Sequence, residues 1–276
     1  MNRKSILKSA IPILLALLFL AVVLFPFYWT LFSSFKDRFE IVSGTPRLFP
    51  TRWILDGYRS VLGGPFFRVT MNSLTVAFAT VLIALALAIP AGFAIARLRF
   101  PGAALISRAT LLLYLFPTIV LIVPIFNLAN KLKLINNPVA LVIIYVGMTT
   151  PIAMWLLSSF LQGVPHEIEE QGMIDGLSKL GALIRITLPL STPGIAAAGL
   201  FIFITAWGEY IFSFLLMSSE ARKTLPVGLN YWISVYSISW GPLTAAAVLA
   251  TIPVLVIFLF LGRYFVESLT AGGLKG

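Results

Sequence analysis

Cysteine is absent from the 276 residues, which excludes disulfides, thiolate metal sites and cysteine nucleophiles together. Histidine occurs once, at His166, without a second histidine or a cysteine to complete a metal set or a His-based catalytic site. No G-x-x-x-x-G-K-[ST] stretch is present, so the chain lacks the usual phosphate-cradling loop and is not expected to hydrolyse ATP itself. No set of nucleophile, base and orienting group is visible; the expectation is therefore no catalytic residue, no metal ligand and no cofactor bound by this chain. Charge is scarce as well. Charged residues make up 11%, against about 25% in an average soluble domain, and only 10 of them are acidic.

What fills the chain instead is hydrophobic, at 59%. A water-soluble fold of this size needs far more polar surface, so the class is integral membrane protein. Long apolar runs point to helices and not to a barrel, whose strands would read as short alternating segments. Six such runs lie over about 11–34, 71–96, 104–128, 138–160, 194–217 and 243–265, each with the ~20 residues an α-helix needs to cross the hydrocarbon core. The expectation is an all-α six-helix bundle. Pro26, Pro90, Pro117, Pro124, Pro151 and Pro253 fall inside these runs, where neighbouring helices can satisfy the carbonyls they free. The opening "MNRKSILKSA" imitates a signal peptide, but the apolar run from Ile11 to about Phe35 exceeds an h-region of roughly 7–15 residues and reads as a retained first span.

The net charge of +10 does not point to nucleic acid. The bases are scattered singly near span ends, as headgroup anchors and topology signals in contact with membrane lipid are. Six spans put both termini on one side with the 97–103 and 161–193 connections. Lys and Arg divide 10 and 10 between the two faces. Arg3, Lys4 and Lys8 nevertheless stand before the first span without acids, which leans toward cytoplasmic termini because the first helix often dominates orientation. The 35–69 segment holds Pro46, Pro50, Pro65, Gly63-Gly64, Trp53 and Tyr58. It reads as an ordered external loop with a short helix at 56–62, placed either to carry a partner or to cap the bundle.

The few acids are concentrated. Glu167, Glu169, Glu170 and Asp175 lie in "EIEEQGMIDG" between the fourth and fifth spans. Pro165 suits the first turn of a helix, and the glutamates after it complement the positive end of the helix dipole. Gly176 ends that helix and Ser178 is placed to cap a second one. There Leu180, Leu183, Ile184, Thr187 and Leu188 recur at i, i+3, i+4, i+7 and i+8, an amphipathic spacing, before Pro189 and Pro193 close the unit. Helices lying on headgroups favour Lys and Arg on the polar face, and an anionic leaflet repels carboxylates. An acidic helix projecting from a membrane bundle suits docking to a soluble protein.

The spacing Glu170-Gln171-Gly172, three residues, Gly176, nine residues, Ile186-x-Leu188-Pro189 resembles the EAA loop of importer-type ABC permeases. In that family the loop forms coupling helices seated in a cleft of a cytoplasmic ATPase. The departure is Gln171-Gly172 in place of two alanines, which would loosen the first helix, since glycine costs about 1 kcal/mol relative to alanine, or would admit a partner backbone more closely. "PFYWTLFSSFK" at 26–36, "NSLTVAFATV" at 72–81, "AGFAIARLRFPG" at 91–102, "PVGLNYW" at 226–232 and "LTAGGLKG" at 269–276 narrow the resemblance to carbohydrate-uptake permeases of the maltose-transporter type, over nearly the whole chain.

That resemblance implies a type I ABC importer transmembrane domain (MetI-like) in a bacterial cytoplasmic (inner) membrane, multi-pass, with both termini cytoplasmic. It implies as partners a second permease subunit, two ATPase subunits that carry ATP and Mg, and an extracytoplasmic sugar-binding protein. Glu169, Glu170, Gln171, Gly172, Asp175, Gly176 and Leu177 would be the ATPase-coupling residues. The chain would divide into a cytoplasmic N-terminus (1–10), a first transmembrane helix (11–34), an external loop (35–69), a five-helix permease core (70–266) with coupling helices at 164–188, and a cytoplasmic C-terminal tail (267–276).

Within the membrane, "AWGEY" at 206–210 holds Glu209, the one acid well inside an apolar run. An ionisable group at that depth is costly unless paired or wet, and marks a functional candidate. On a continuous helix Thr205 and Ser213 would extend a polar stripe on its face, and Trp207 would offer a surface for stacking on a sugar ring. The family commonly has W-N-[ED]-[FY] here, and Gly208 departs from it. Thr205, Trp207, Glu209 and Tyr210 are the candidate substrate pathway, with a helix-packing contact as the other reading. Two alternatives to the sugar permease are an ABC permease for a non-sugar solute and a proton-driven secondary transporter with Glu209 as relay. The second leaves the acidic loop without a purpose and finds no inverted repeat in the sequence.

Overall fold

The computed structural model describes residues 3–43, 45–98, 100–234 and 237–273. The chain separates into two compact units, one made of 1–67 with 229–252, the other of 68–228 with 253–276. No strand forms among the described residues beyond a single bridge between Ile233 and Ile238.

The first unit begins with the helix Arg3–Ser33. Its residues 11–27 are all left exposed by the rest of the chain, so lipid or another subunit must cover them. Its end is locked by aromatics. Tyr28 and Phe32 lie 4.4 Å apart, Phe32 meets Phe49 edge-on at 5.2 Å, and Phe35 meets Trp53 at 5.1 Å. Lys36 is buried beneath them, donating to Arg47 O at 2.6 Å with its ammonium 4.3 Å from the Trp29 ring, a cation–π contact that offsets part of its desolvation. Glu40, on the short helix Arg38–Val42, accepts from Thr51 N and Oγ1 at 3.0 Å each. The helix expected over 56–62 is present as Asp56–Leu62. Gly57 in it lies against the backbone of Gly241, where a Cβ would sit 2.7 Å from Gly241 O.

The second unit is built on three helices that pass close to one another: Phe66–Arg97, Pro138–Gln162 and Thr192–Gly208. Small residues recur every four positions on two of them, Ala84, Ala88 and Gly92 on the first and Gly194 and Ala198 on the third. They pack against Ala153, Leu157 and Leu161. Gly92 lies against the 138–162 backbone, where a Cβ would be 3.2 Å from Met154 O, and a Cβ on Gly194 would overlap the Phe160 ring. Such stripes let helices approach where lipid supplies no hydrophobic drive.

The apolar helices number four by length alone, or six if each of two bent pairs is one span. Two of the six runs expected as single helices are interrupted. The 104–128 run divides into Ala103–Tyr114 and Thr118–Lys131, bent by 84°. The break falls at Pro117, whose ring and missing N–H end a helix and push the preceding residue out of helical geometry. The 194–217 run stops at Gly208 and resumes as Ile211–Leu216. The last helix, Trp240–Gly273, runs past the boundary set at 266; residues 274–276 of the expected tail lie outside the described residues.

Candidate functional site

The acidic loop between the 138–162 and 192–208 helices folds as two arms. The first is His166–Ile174, entered through Pro165. It ends in a reciprocal pair of bonds, Gly176 N to Met173 O at 3.1 Å and Leu177 N to Gly172 O at 3.0 Å. This arrangement closes the last turn and needs a residue in left-handed conformation; Gly176 has φ +96°. Ser178 then caps the second arm, accepting from Gly181 N at 3.1 Å. That arm runs Lys179–Leu190 and turns 76° into Thr192–Gly208, with a wider π turn at Leu183–Thr187.

The arms have an outer and an inner side. Glu167, Glu170, Gln171 and Asp175 are exposed, together with Ile174 at 84%, Leu180 at 64% and Ile184 at 55%. Glu167, Glu170 and Ile174 follow i, i+3, i+7 and so share a face. Carboxylates beside bare aliphatic side chains make an outer surface that is neither a lipid face nor an ordinary solvated one.

Glu169, grouped with the coupling residues on sequence, does not belong to that surface. It is turned inward, and Arg97, the last residue of the 66–97 helix, donates from Nε to Glu169 Oε1 at 2.8 Å and from Nη2 to Val164 O at 2.7 Å. Thr187 Oγ1, fully buried, donates to the same Glu169 Oε1 at 2.8 Å. The ion pair is almost dry, its side chains 5% and 9% exposed. In the sequence Arg97 is one of the scattered bases near span ends, and Thr187 is one position of an amphipathic spacing. The available signal was a hydroxyl among the apolar positions of the second arm, with a glutamate one residue before the motif on the first.

Gly172 is inward too, and the space a Cβ would fill is taken by Ile186 Cδ1 of the second arm, with Leu177 Cδ1 beside it. The replacement of two alanines by Gln171-Gly172 thus has an internal reason at Gly172: the partner it admits is Ile186 of the same loop. Nothing in the structure explains Gln171. Changing Gly172→Ala sets a helix-propensity gain of about 1 kcal/mol against that overlap. In an Ile186→Val background, which removes Cδ1, the gain is expected to emerge as a higher thermal midpoint in detergent. Equal effects of Gly172→Ala in both backgrounds would contradict the packing account.

The second candidate site differs from the expected polar stripe. Thr205 and Ser213 do not share a helical face with Glu209, because the helix stops between them. Glu209 is extended at φ −71°, ψ 125°, and its carboxylate accepts from Phe212 N at 3.0 Å and Ser213 N at 3.3 Å. It thereby satisfies orphan donors at the start of the 211–216 helix, as a capping carboxylate does. Tyr145, from the middle of the 138–162 helix, donates its hydroxyl to Glu209 Oε2 at 2.6 Å. Ser213 is buried and accepts instead from Thr224 Oγ1 at 2.6 Å. Tyr145 escaped the sequence reading, although a phenol in mid-span must find a partner.

The other pathway candidates scatter. Trp207 is buried and stacked on Phe203 at 5.6 Å and 17°, so no sugar can stack on it in this conformation. Tyr210 is exposed and stacked on Phe214 at 5.5 Å. Thr205 bonds back to Phe201 O at 2.8 Å and borders a largely apolar cavity of about 540 Å³ with Tyr114, Phe116, Thr118, Gly147 and Pro151. Among the described residues no group of three or more His, Asp or Glu is placed to hold a metal ion.

Comparison with known proteins places this geometry in context. A family model described as binding-protein-dependent transport system inner membrane component matches residues 88–270. The chain is 37% identical over 262 residues to the inner membrane ABC transporter permease protein YcjP of Escherichia coli, covering 94% of each. It is 35% identical over 278 residues to the trehalose/maltose transport system permease protein MalG of Thermococcus litoralis, covering 99% of each. In fold it resembles a chain from the crystal structure of a bacterial ABC transporter involved in the import of the acidic polysaccharide alginate, with a TM-score of 0.80 at 20% identity over 96% of this chain and 99% of that one.

Proposed function

Since the chain belongs to the family of binding-protein-dependent transport system inner membrane components, as a multi-pass ABC permease, we propose that it forms half of the translocation pathway of an ATP-driven sugar importer. The observation that carries the coupling part of this reading is the two-sidedness of the 166–190 loop. Its outer face offers acids and bare aliphatics to a soluble protein, while its inner face is fixed by the Arg97–Glu169 pair.

On this reading the outer face docks one of two ATPase subunits, which hold ATP and Mg, and a second permease completes the pathway. The loop side, with both termini, is cytoplasmic, and an extracytoplasmic binding protein delivers the solute to the opposite side. This chain performs no chemistry itself. Closure of the ATPases moves the loop, and the bundle exchanges inward for outward access because the two states differ in affinity for the closed ATPase dimer. The sugar assignment rests on relatives such as the trehalose/maltose permease; a non-sugar solute would change the cargo and leave the coupling as it is.

Glu170→Lys tests the docking face. The side chain is exposed and makes no hydrogen bond or ion pair among the described residues, so insertion and stability are expected to stay within about 0.5 kcal/mol of native. Solute uptake by vesicles carrying the whole complex is expected to fall about tenfold, as loss of roughly 1.4 kcal/mol of charge complementarity would give. Native uptake by this variant would remove the outer face from the coupling account.

A further inference from the structure

The geometry points to Arg97, Glu169 and Thr187 as positioning residues that deliver movement of the loop to the 66–97 span. The inference rests on the permease reading above and goes further, by naming how a helix with no chain connection to the loop is driven by it.

The loop is continuous with the 138–162 helix through Gly163–Pro165 and with the 192–208 helix through Ser191, so displacement reaches those two along the backbone. The 66–97 helix has no such link, since Arg97 stands 72 residues from Glu169 in sequence. Elsewhere it meets the 138–162 helix through Ala84, Ala88 and Gly92, and flat contacts of that kind resist separation better than sliding. The Arg97 fork is directional. One guanidinium holds the carbonyl of Val164, where the 138–162 helix gives way to the loop, and the carboxylate of Glu169 on the first arm. Glu169 Oε1 is in turn shared with Thr187 on the second arm. Both arms and the end of the span therefore meet at one carboxylate oxygen. The site is nearly dry, where charge-assisted bonds are stronger than in water.

A brace that only stabilises the fold would have the same bonds, so the test reads coupling. The complete complex is reconstituted in vesicles with its binding protein, and ATP hydrolysed per solute imported is measured beside the thermal midpoint. Thr187→Val removes one hydroxyl and leaves the ion pair. Arg97→Lys keeps the charge and loses the fork, which a lysine cannot replace. Both are expected to assemble and to raise ATP consumed per solute by about fivefold or more, the lower end of typical coupling between sites, and Thr187→Ser is expected to restore the native ratio. A native ratio in both variants, whether or not their midpoints fall, would overturn the proposal and leave the trio a brace. Absence of ATP-dependent uptake by the native complex would overturn the permease reading and this proposal together, and shows itself before any variant is compared.

Discussion

Glu169→Ala is expected to destabilise the chain by about 3–5 kcal/mol, the usual cost of removing one partner from a buried ion pair. The cause is what remains. Arg97 would keep a guanidinium that is 5% exposed, with the Val164 carbonyl as its remaining acceptor among the described residues, and Thr187 would lose the 2.8 Å acceptor of its hydroxyl. Arg97→Ala strands the carboxylate instead and is expected to cost a similar amount. The double variant Arg97→Ala/Glu169→Ala is expected to cost clearly less than the sum, because neither charge is then left alone. Thermal unfolding of the four proteins in detergent checks this. Additive losses would mean that the two side chains do not depend on one another.

Gly176→Val is the second large effect. No atom within 4 Å would meet a Cβ there, so the cost is conformational and not steric. A β-branched residue held at φ +96° is expected to lose about 2 kcal/mol or more. Gly176→Asn is expected to lose less, since asparagine visits positive φ more readily. Function is expected to suffer beyond stability, because the bonds Gly176 N to Met173 O and Leu177 N to Gly172 O set the angle between the two arms. Uptake per assembled complex should therefore rank native, then Asn, then Val. A valine variant that assembles and transports as the native chain does would show that this turn does not set the coupling geometry.

The sequence and the structure part company at identifiable places. The spans were legible because apolar runs of membrane length leave little choice of structure, and the two arms of the loop because Pro165, Gly176 and Ser178 are local signals with local causes. The inward turn of Glu169 was not legible. Four acids within ten residues look alike in sequence, and only the arrival of Arg97 from a distant helix separates the second, Glu169, from its neighbours. The helix stop at Glu209 was hidden for a related reason. The run from 194 to 217 carries no other charged residue, and the phenol that completes the shell of Glu209 comes from Tyr145, 64 positions away. Gly172 shows the reverse case. Its departure from alanine was visible, while its cause, the Ile186 side chain, is a packing fact that spacing does not carry.

The central claim is that the face bearing Glu170 and Ile174 meets the ATPase. Because the chain has no cysteine, a single introduced thiol reports one position. Ile174→Cys, at a site 84% exposed, is predicted to cross-link to an ATPase subunit of the purified complex, with a yield that changes when ATP is bound. Phe39→Cys, at a site 82% exposed in the 35–69 loop, is predicted not to do so. Cross-linking of the ATPase to position 39 and not to position 174 would contradict the account.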